Sequence, residues 1–135
     1  MAAEGSFSLS VKKFVEKTKL KPSLVIKKVS FDMLADLILM SPVLTGRFKG
    51  NWHIALGNPD SWTTEKTDKD GRATLSEGGV ALEKAAIIDD VYILNNLKYA
   101  IPLEYGHSQQ APNGMVRITK ARFKEYLDHA IESIK

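Results

Sequence analysis

The chain contains no cysteine. Disulfides, thiolate nucleophiles and cysteine metal sites are therefore excluded, and the absence fits a reducing compartment. Histidine is scarce: His53, His107 and His129 are the three in the chain. No two stand three or four residues apart, so no helix presents paired imidazoles, and no metal site is expected. Long apolar runs are also missing. The greasiest stretch, LADLILM at residues 34–40, is interrupted by Asp36 and is far shorter than the ~20 residues a membrane helix needs. The opening residues, MAAEGSFSLS, lack a charged region followed by an apolar one, so neither a secretory signal nor a membrane partner is expected.

What is present is an ordinary globular composition. The chain has 135 residues, 44% of them apolar, which suits one domain with its own core. That domain divides into N-terminal helices at 8–40 and a sheet, loops and C-terminal helix at 43–135. The net charge of +3 is unevenly placed. Seven lysines lie at or before Lys28 against Glu4 and Glu16, which leaves 12 basic and 14 acidic residues for the rest. Such a basic section is either a solvated helix face or a surface for nucleic acid. It lacks interleaved aromatics and arginines, which favours the solvated face.

Read in order, Ser8 or Ser10 caps a first short helix with Val11, Phe14 and Val15 on one side. A second helix starts near Pro22 and carries Ile26, Val29, Met33, Leu37 and Met40 as a stripe, widened by Leu34 and Ile38. Pro42 stops it. Residues 43–50 form a turn-rich linker, with Gly46 of the Thr45-Gly46 pair at positive φ. Residues 51–56 alternate Trp52, Ile54 and Leu56 with His53 and Ala55, the pattern of a half-buried strand. Residues 58–72 have no periodicity and seven charges, with Trp62 their sole strongly apolar residue. Composition predicts that this loop buries too little to order itself without a partner. Trp62 then has two readings: an interface anchor, or a side chain folded back on its own sheet.

Thr74 and Glu77 match a capping box before a third helix. Val80, Leu82, Ala85 and Ala86 supply its inner side, and Gly78-Gly79 weakens its start. Asp89-Asp90 turns the chain into a second strand at 91–95. Asn95-Asn96 ends that strand, because asparagine tolerates left-handed backbone and makes local side-chain bonds. Residues 99–105, YAIPLEY, read as a short amphipathic helix closed by Gly106 as its C′ residue. A polar loop, 107–114, precedes a final helix that opens at Met115. Val116, Phe123, Leu127, Ala130, Ile131 and Ile134 line its inner face. The fold class is α+β: two N-terminal helices, a small antiparallel sheet containing Trp52 and Ile93, a middle helix, and a long C-terminal helix packed on the sheet.

Catalytic patterns do not assemble, and the chain is not expected to be an enzyme. Asp68, Asp70, Gly71 and Glu77 imitate part of a calcium loop, but Lys66 stands where its first carboxylate belongs. Asp89 and Asp90 are adjacent, so on a strand they point apart. His107-Ser108 has no acid partner in any pattern. No glycine-rich phosphate loop precedes a helix, so no cofactor is expected. Glu104 and Arg117 flank the 106–114 loop, where a pair between them would pin it.

Two segments carry a family resemblance. NNLKYAIPLEYGHSQQAPNGMVR at 95–117, within the 92–119 stretch, and SPVLTGRFKGNWHIALG at 41–57 resemble the marked segments of neck or tail-completion proteins of long-tailed bacteriophages. These are the minor tail proteins that join head to tail. The two segments occur in the family's order and spacing, cover under a third of the chain, and neither is a generic motif. The resemblance implies a structural subunit of the virion neck or upper tail, present in the host cytoplasm during assembly. It implies a homo-oligomer, expected as a hexameric ring, that docks on head-closure, tail-terminator or tail-tube proteins. DNA passing through the lumen would be contacted non-specifically at most. A closed ring needs two different patches on each subunit. Candidates are the 57–72 loop with Trp62, beside Arg47 and Phe48, and the 106–114 loop with His107, Gln109, Gln110 and Pro112. The alternative reading is a small nucleic-acid-binding protein that uses its lysine-rich N-terminal helices.

Overall fold

A proline at the first helical position starts the longest element. Its missing N–H is not needed there, and its φ suits the turn. In the computed structural model, which describes residues 21–85 and 90–134, this element is α1 (Pro22–Met40). It ends one residue before Ser41, whose extended backbone leads into Pro42. Val25, Val29, Met33, Leu34, Leu37 and Ile38 are its buried apolar positions. Ile26 and Met40, expected at the centre of the stripe, are its half-buried margins.

The order continues with α2 (Arg47–Gly50), β1 (His53–Leu56), α3 (Arg72–Glu83), β2 (Val91–Leu94), α4 (Ala100–Glu104), α5 (Val116–Ala121) and α6 (Phe123–Ile134). The protein is thus α+β, with six helices and one two-stranded antiparallel sheet among the described residues. No helix there is long and apolar enough to cross a membrane. The expected helix around Val11, Phe14 and Val15 lies outside the described residues, as do Lys12, Lys13, Lys17, Lys19, Ala86 and Asp89.

The sheet register sets Ile54 against Ile93 and His53 against Leu94. Ile54 and Ile93 turn inward to the core, so His53, Ala55, Tyr92 and Leu94 share the outer face. Trp52 is not part of the strand. The Asn51 and Trp52 amides bond the carbonyls of Phe48 and Lys49, which closes the turn after α2. The Trp52 indole donates to Ser41 Oγ at 2.7 Å inside the core. Residues 43–50 therefore hold a helical turn as well as the expected left-handed Gly46, at φ 90°.

Two apolar clusters hang on α1. Val25, Val29 and Met33 pack with Tyr126, Leu127, Ala130 and Ile131 of α6. Leu34, Leu37 and Ile38 pack with Phe48, Trp52, Leu97, Ala111 and Met115. Partly buried Ile93 touches both.

Several expectations about the helices need correction. The C-terminal helix is interrupted at Arg122, whose amide bonds the Ile118 and Thr119 carbonyls while its own carbonyl starts the next turn. It packs chiefly on α1 rather than on the sheet, since the two-stranded ribbon is too small to cover it. Val116 is exposed, and Met115 and Thr119 take the buried positions. The middle helix starts at Arg72, not at a Thr74 capping box. Asp68 reaches forward and accepts the Gly71 and Thr74 amides and the Thr74 hydroxyl, while Glu77 binds Lys66 instead. Val80 is exposed, because Thr74, Gly78 and Leu82 form the inner face. Gly78 belongs in mid-helix: a Cβ there would overlap Leu34 Cδ2, so its absence lets α3 approach α1.

Candidate interaction surface

The 57–71 segment has no regular secondary structure, yet hydrogen bonds fasten it at three places. Asn51, fully buried, donates from Nδ2 to the Thr64 carbonyl at 2.9 Å and accepts the Thr64 amide at 2.9 Å. Arg47 Nε donates to the same carbonyl at 3.1 Å, and its far nitrogen meets Glu65 at 3.2 Å. Further on, the Asp68 amide donates to Gly46 O at 3.0 Å. At the near end, Asp60 Oδ1 gathers His53, the Trp62 amide and Asn96. The loop is therefore held without apolar burial. The expectation from composition counted apolar burial alone and is corrected: the loop is held by hydrogen bonds from the buried Asn51 amide and by the exposed Asp60 and half-buried Asp68 carboxylates rather than by area.

Burial acts to raise the Asp60 carboxyl, but the bonds from His53 and the Trp62 amide outweigh it and leave the group below the usual carboxylate range. Asp68 behaves alike. Burial raises it, and the Thr74 hydroxyl and amide pull it below its ordinary value. Asp68, Asp70 and Glu77, which imitate a calcium loop in sequence, are each spent on a helix cap or an ion pair.

The candidate residues separate into groups. Trp62 folds back on its own sheet, where its ring meets His53 edge-on at 4.7 Å, and it remains 48% exposed. Arg47 is half-buried and serves the loop. Phe48 is corrected: at 5% exposed it belongs to the core, where it packs on Trp52 and Tyr99 at 5.8 Å each. His107, Gln109, Gln110 and Pro112 are all exposed. Gln110 also bridges to Val43, accepting its amide at 2.8 Å and donating to its carbonyl at 3.2 Å.

Glu104 and Arg117 meet across the second loop at 3.1 Å. Glu104 does more than pair. Oε1 accepts the amides of Met115 and Val116, and Oε2 that of Arg117. A carboxylate from α4 thus caps α5, satisfying amides that have no partner within the helix. Burial acts to raise Glu104, and the three amides and the guanidinium outweigh it, so the carboxyl sits below its ordinary range. As expected, Gly106 closes α4 in the left-handed region, at φ 87°.

The sequence reading missed the apolar exposure of α4. An amphipathic YAIPLEY should bury one side, yet no residue of α4 is buried: Ile101 is 58% exposed and neighbouring Tyr105 63%. Leu44, in the other marked segment, is exposed as well. Five residues are too few to give a helical period, so only the spacing of Ile101 and Tyr105 hinted at a shared stripe. Among the described residues, no group of three or more His, Asp or Glu side chains could hold a metal ion. Compared with protein-family models, curated proteins and solved structures, the chain matches none of them.

Proposed function

We propose that this chain is a non-catalytic virion subunit of the neck or upper tail of a long-tailed bacteriophage, acting as one member of a closed ring. The resemblance of residues 41–57 and 95–117 to that family is the starting point. One structural observation carries the reading further: the two segments, far apart in sequence, are built into one body. Asn95 Nδ2 donates to the Phe48 carbonyl at 2.9 Å, Ser41 Oγ meets Met115 Sδ at 3.5 Å, and Gln110 clasps Val43. A family signature split over two segments makes physical sense if both build one functional surface.

That surface has the character of a subunit contact. Leu44, Ile101, Tyr105 and half of Trp62 stand in solvent, Ile101 and Tyr105 next to the polar 106–114 loop and Trp62 within the charged 57–71 loop. Exposed apolar and aromatic side chains in such a setting mark protein interfaces. A ring uses two unlike patches per subunit, and the 57–71 and 106–114 loops, on separate supports, supply them. The work of such a protein is geometric: it closes a ring, and the ring's faces dock on neighbouring rings while DNA passes through the lumen.

Gold-labelled antibody on particles released from cells carrying the gene is the test. Label concentrated at the head–tail junction is expected. Particles that lack the protein would overturn the reading. So would tight duplex binding by the purified chain with a steep salt dependence, the behaviour of a nucleic-acid-binding protein.

A further inference from the structure

His53 faces an acceptor at each end of its ring. Nδ1 lies 2.9 Å from the Asn51 carbonyl, and Nε2 lies 2.8 Å from Asp60 Oδ1. A carbonyl and an ionised carboxylate accept and do not donate. Neutral imidazole has one N–H and satisfies one of them, and either tautomer then sets a ring lone pair against the other oxygen. Imidazolium satisfies both. Asp60 Oδ1 in turn holds the Trp62 amide at 3.2 Å and Asn96 Nδ2 at 2.9 Å, and Asn96 holds the Trp62 carbonyl at 3.0 Å. The indole seats its ring against the imidazole.

We propose that His53 is a proton-operated latch on the Trp62 segment. Protonated, it clamps Asp60 to β1 and seats the indole on the outer face of the sheet. Neutral, its one N–H serves either Asp60 or the Asn51 carbonyl but not both, so the charge-assisted clamp is lost and Trp62 is held more weakly and freer to enter an outside contact.

Imidazole is the side chain that exchanges its proton near neutrality. The latch is closed where the ring is protonated and opens where it is neutral. Asp60 stays ionised throughout, since its carboxyl is held below the usual range despite burial. Around the ring, Asp60 is the charged group in contact. Across the ribbon stand Leu94 and, on the same face, the phenol of Tyr92. Of the charges on the flanking elements, Arg47 pairs with Glu65 and Lys66 with Glu77. Helix α3 meets β1 on its opposite face, through Gly78 and Ile54. The inference holds whether or not the protein is a ring subunit.

Fluorotryptophan labelling gives two ¹⁹F signals, from Trp52 and Trp62, with Trp62→Phe to assign them. Over about pH 5 to 8 the Trp62 signal should move with the His53 ring-proton titration while the Trp52 signal stays still. Exchange of the Trp62 amide, corrected for its intrinsic pH dependence, should quicken by about fivefold across the same range. In His53→Gln both responses should vanish. Asp60→Asn should leave His53 titrating but uncouple Trp62 from it. A Trp62 signal that stays flat while His53 titrates overturns the latch. A response that survives in His53→Gln also overturns it, by assigning the effect to His107, His129 or another group.

Discussion

Asn51 and Thr64 hold each other by reciprocal hydrogen bonds, side-chain amide to backbone, both at 2.9 Å. In effect the asparagine acts as one residue of a missing strand and pairs with a loop that has no ladder of its own. Asn51 also donates to the Arg47 carbonyl at 2.8 Å, so a single side chain satisfies backbone groups on α2 and on the loop.

Asn51→Ala should therefore be costly, by about 2 kcal/mol, because it takes the side-chain partner from the part-buried Thr64 amide and Arg47 carbonyl and leaves the Thr64 carbonyl to Arg47 alone. Urea denaturation measures the loss. Hydrogen exchange locates it: the Thr64 amide should be protected in the wild type and lose that protection in the variant. A Thr64 amide already unprotected in the wild type would show that the loop is not fastened there.

Gly78 offers a case where two effects oppose. Alanine adds roughly 1 kcal/mol of helix propensity over glycine. Here its methyl would strike Leu34, which is completely buried, and overpacking a core costs about 1–3 kcal/mol. Gly78→Ala should lower the melting temperature. Gly79→Ala meets just the half-buried Phe31 ring, at 3.2 Å, and should be neutral or stabilising. Equal behaviour of the two variants would refute the close helix contact.

Glu104 predicts a pH dependence. Its folded carboxyl is depressed relative to the unfolded chain, because the three amides and Arg117 outweigh burial. The stability it contributes is present above the unfolded carboxyl range, around pH 4.3, and is lost as the pH falls through the folded value. Glu104→Gln should be less stable than wild type by about 1 kcal/mol near neutrality. The two should converge in acid, below about pH 4. A gap that stays constant to pH 2.5 (about two units below the unfolded carboxyl) would assign the effect to shape rather than charge.

Leu44 and Ile101 test the proposed surface. Both are exposed, so Leu44→Ser and Ile101→Ser should each alter stability by no more than about 0.5 kcal/mol. If the surface joins subunits, sedimentation should show weaker self-association or loss of binding to a neighbouring ring protein. Unchanged assembly in the double variant would remove these side chains from the contact.

Much of the fold could be read because its signals are local. Pro22 and Pro42 bracket α1, the alternation around Ile54 marks β1, and Asn95 ends β2 by accepting the Leu97 amide at 3.3 Å. The misreadings arise where a distant group replaces a local one. Asp68 displaces the capping box at Thr74, Leu34 decides the place of Gly78, and Arg122 divides a helix whose apolar period runs straight through it. The candidate surface was legible in part for the same reason. Exposed polar loops and the Glu104–Arg117 pair follow from composition and spacing. The burial of Phe48 and the exposure of Ile101 depend on which neighbours the chain brings to them. Asp60, Asn51 and Asn96 carry the loop but look like ordinary polar residues in a sequence.

Helix α1 is shared by two apolar clusters, and this gives the molecule a seam. The half of α1 around Val25 and Val29 depends on α6, while the half around Leu34 and Ile38 depends on Trp52 and Met115. Partial opening has an obvious route: α6 can peel away and uncover the first cluster while the second stays closed. The indole of Trp52 senses the second cluster alone. Its fluorescence should therefore persist through the early loss of helical circular dichroism on heating, and the two melting curves should separate. The C-terminal end would then be the less cooperative part of the protein, and the body formed by the two marked segments its more durable unit.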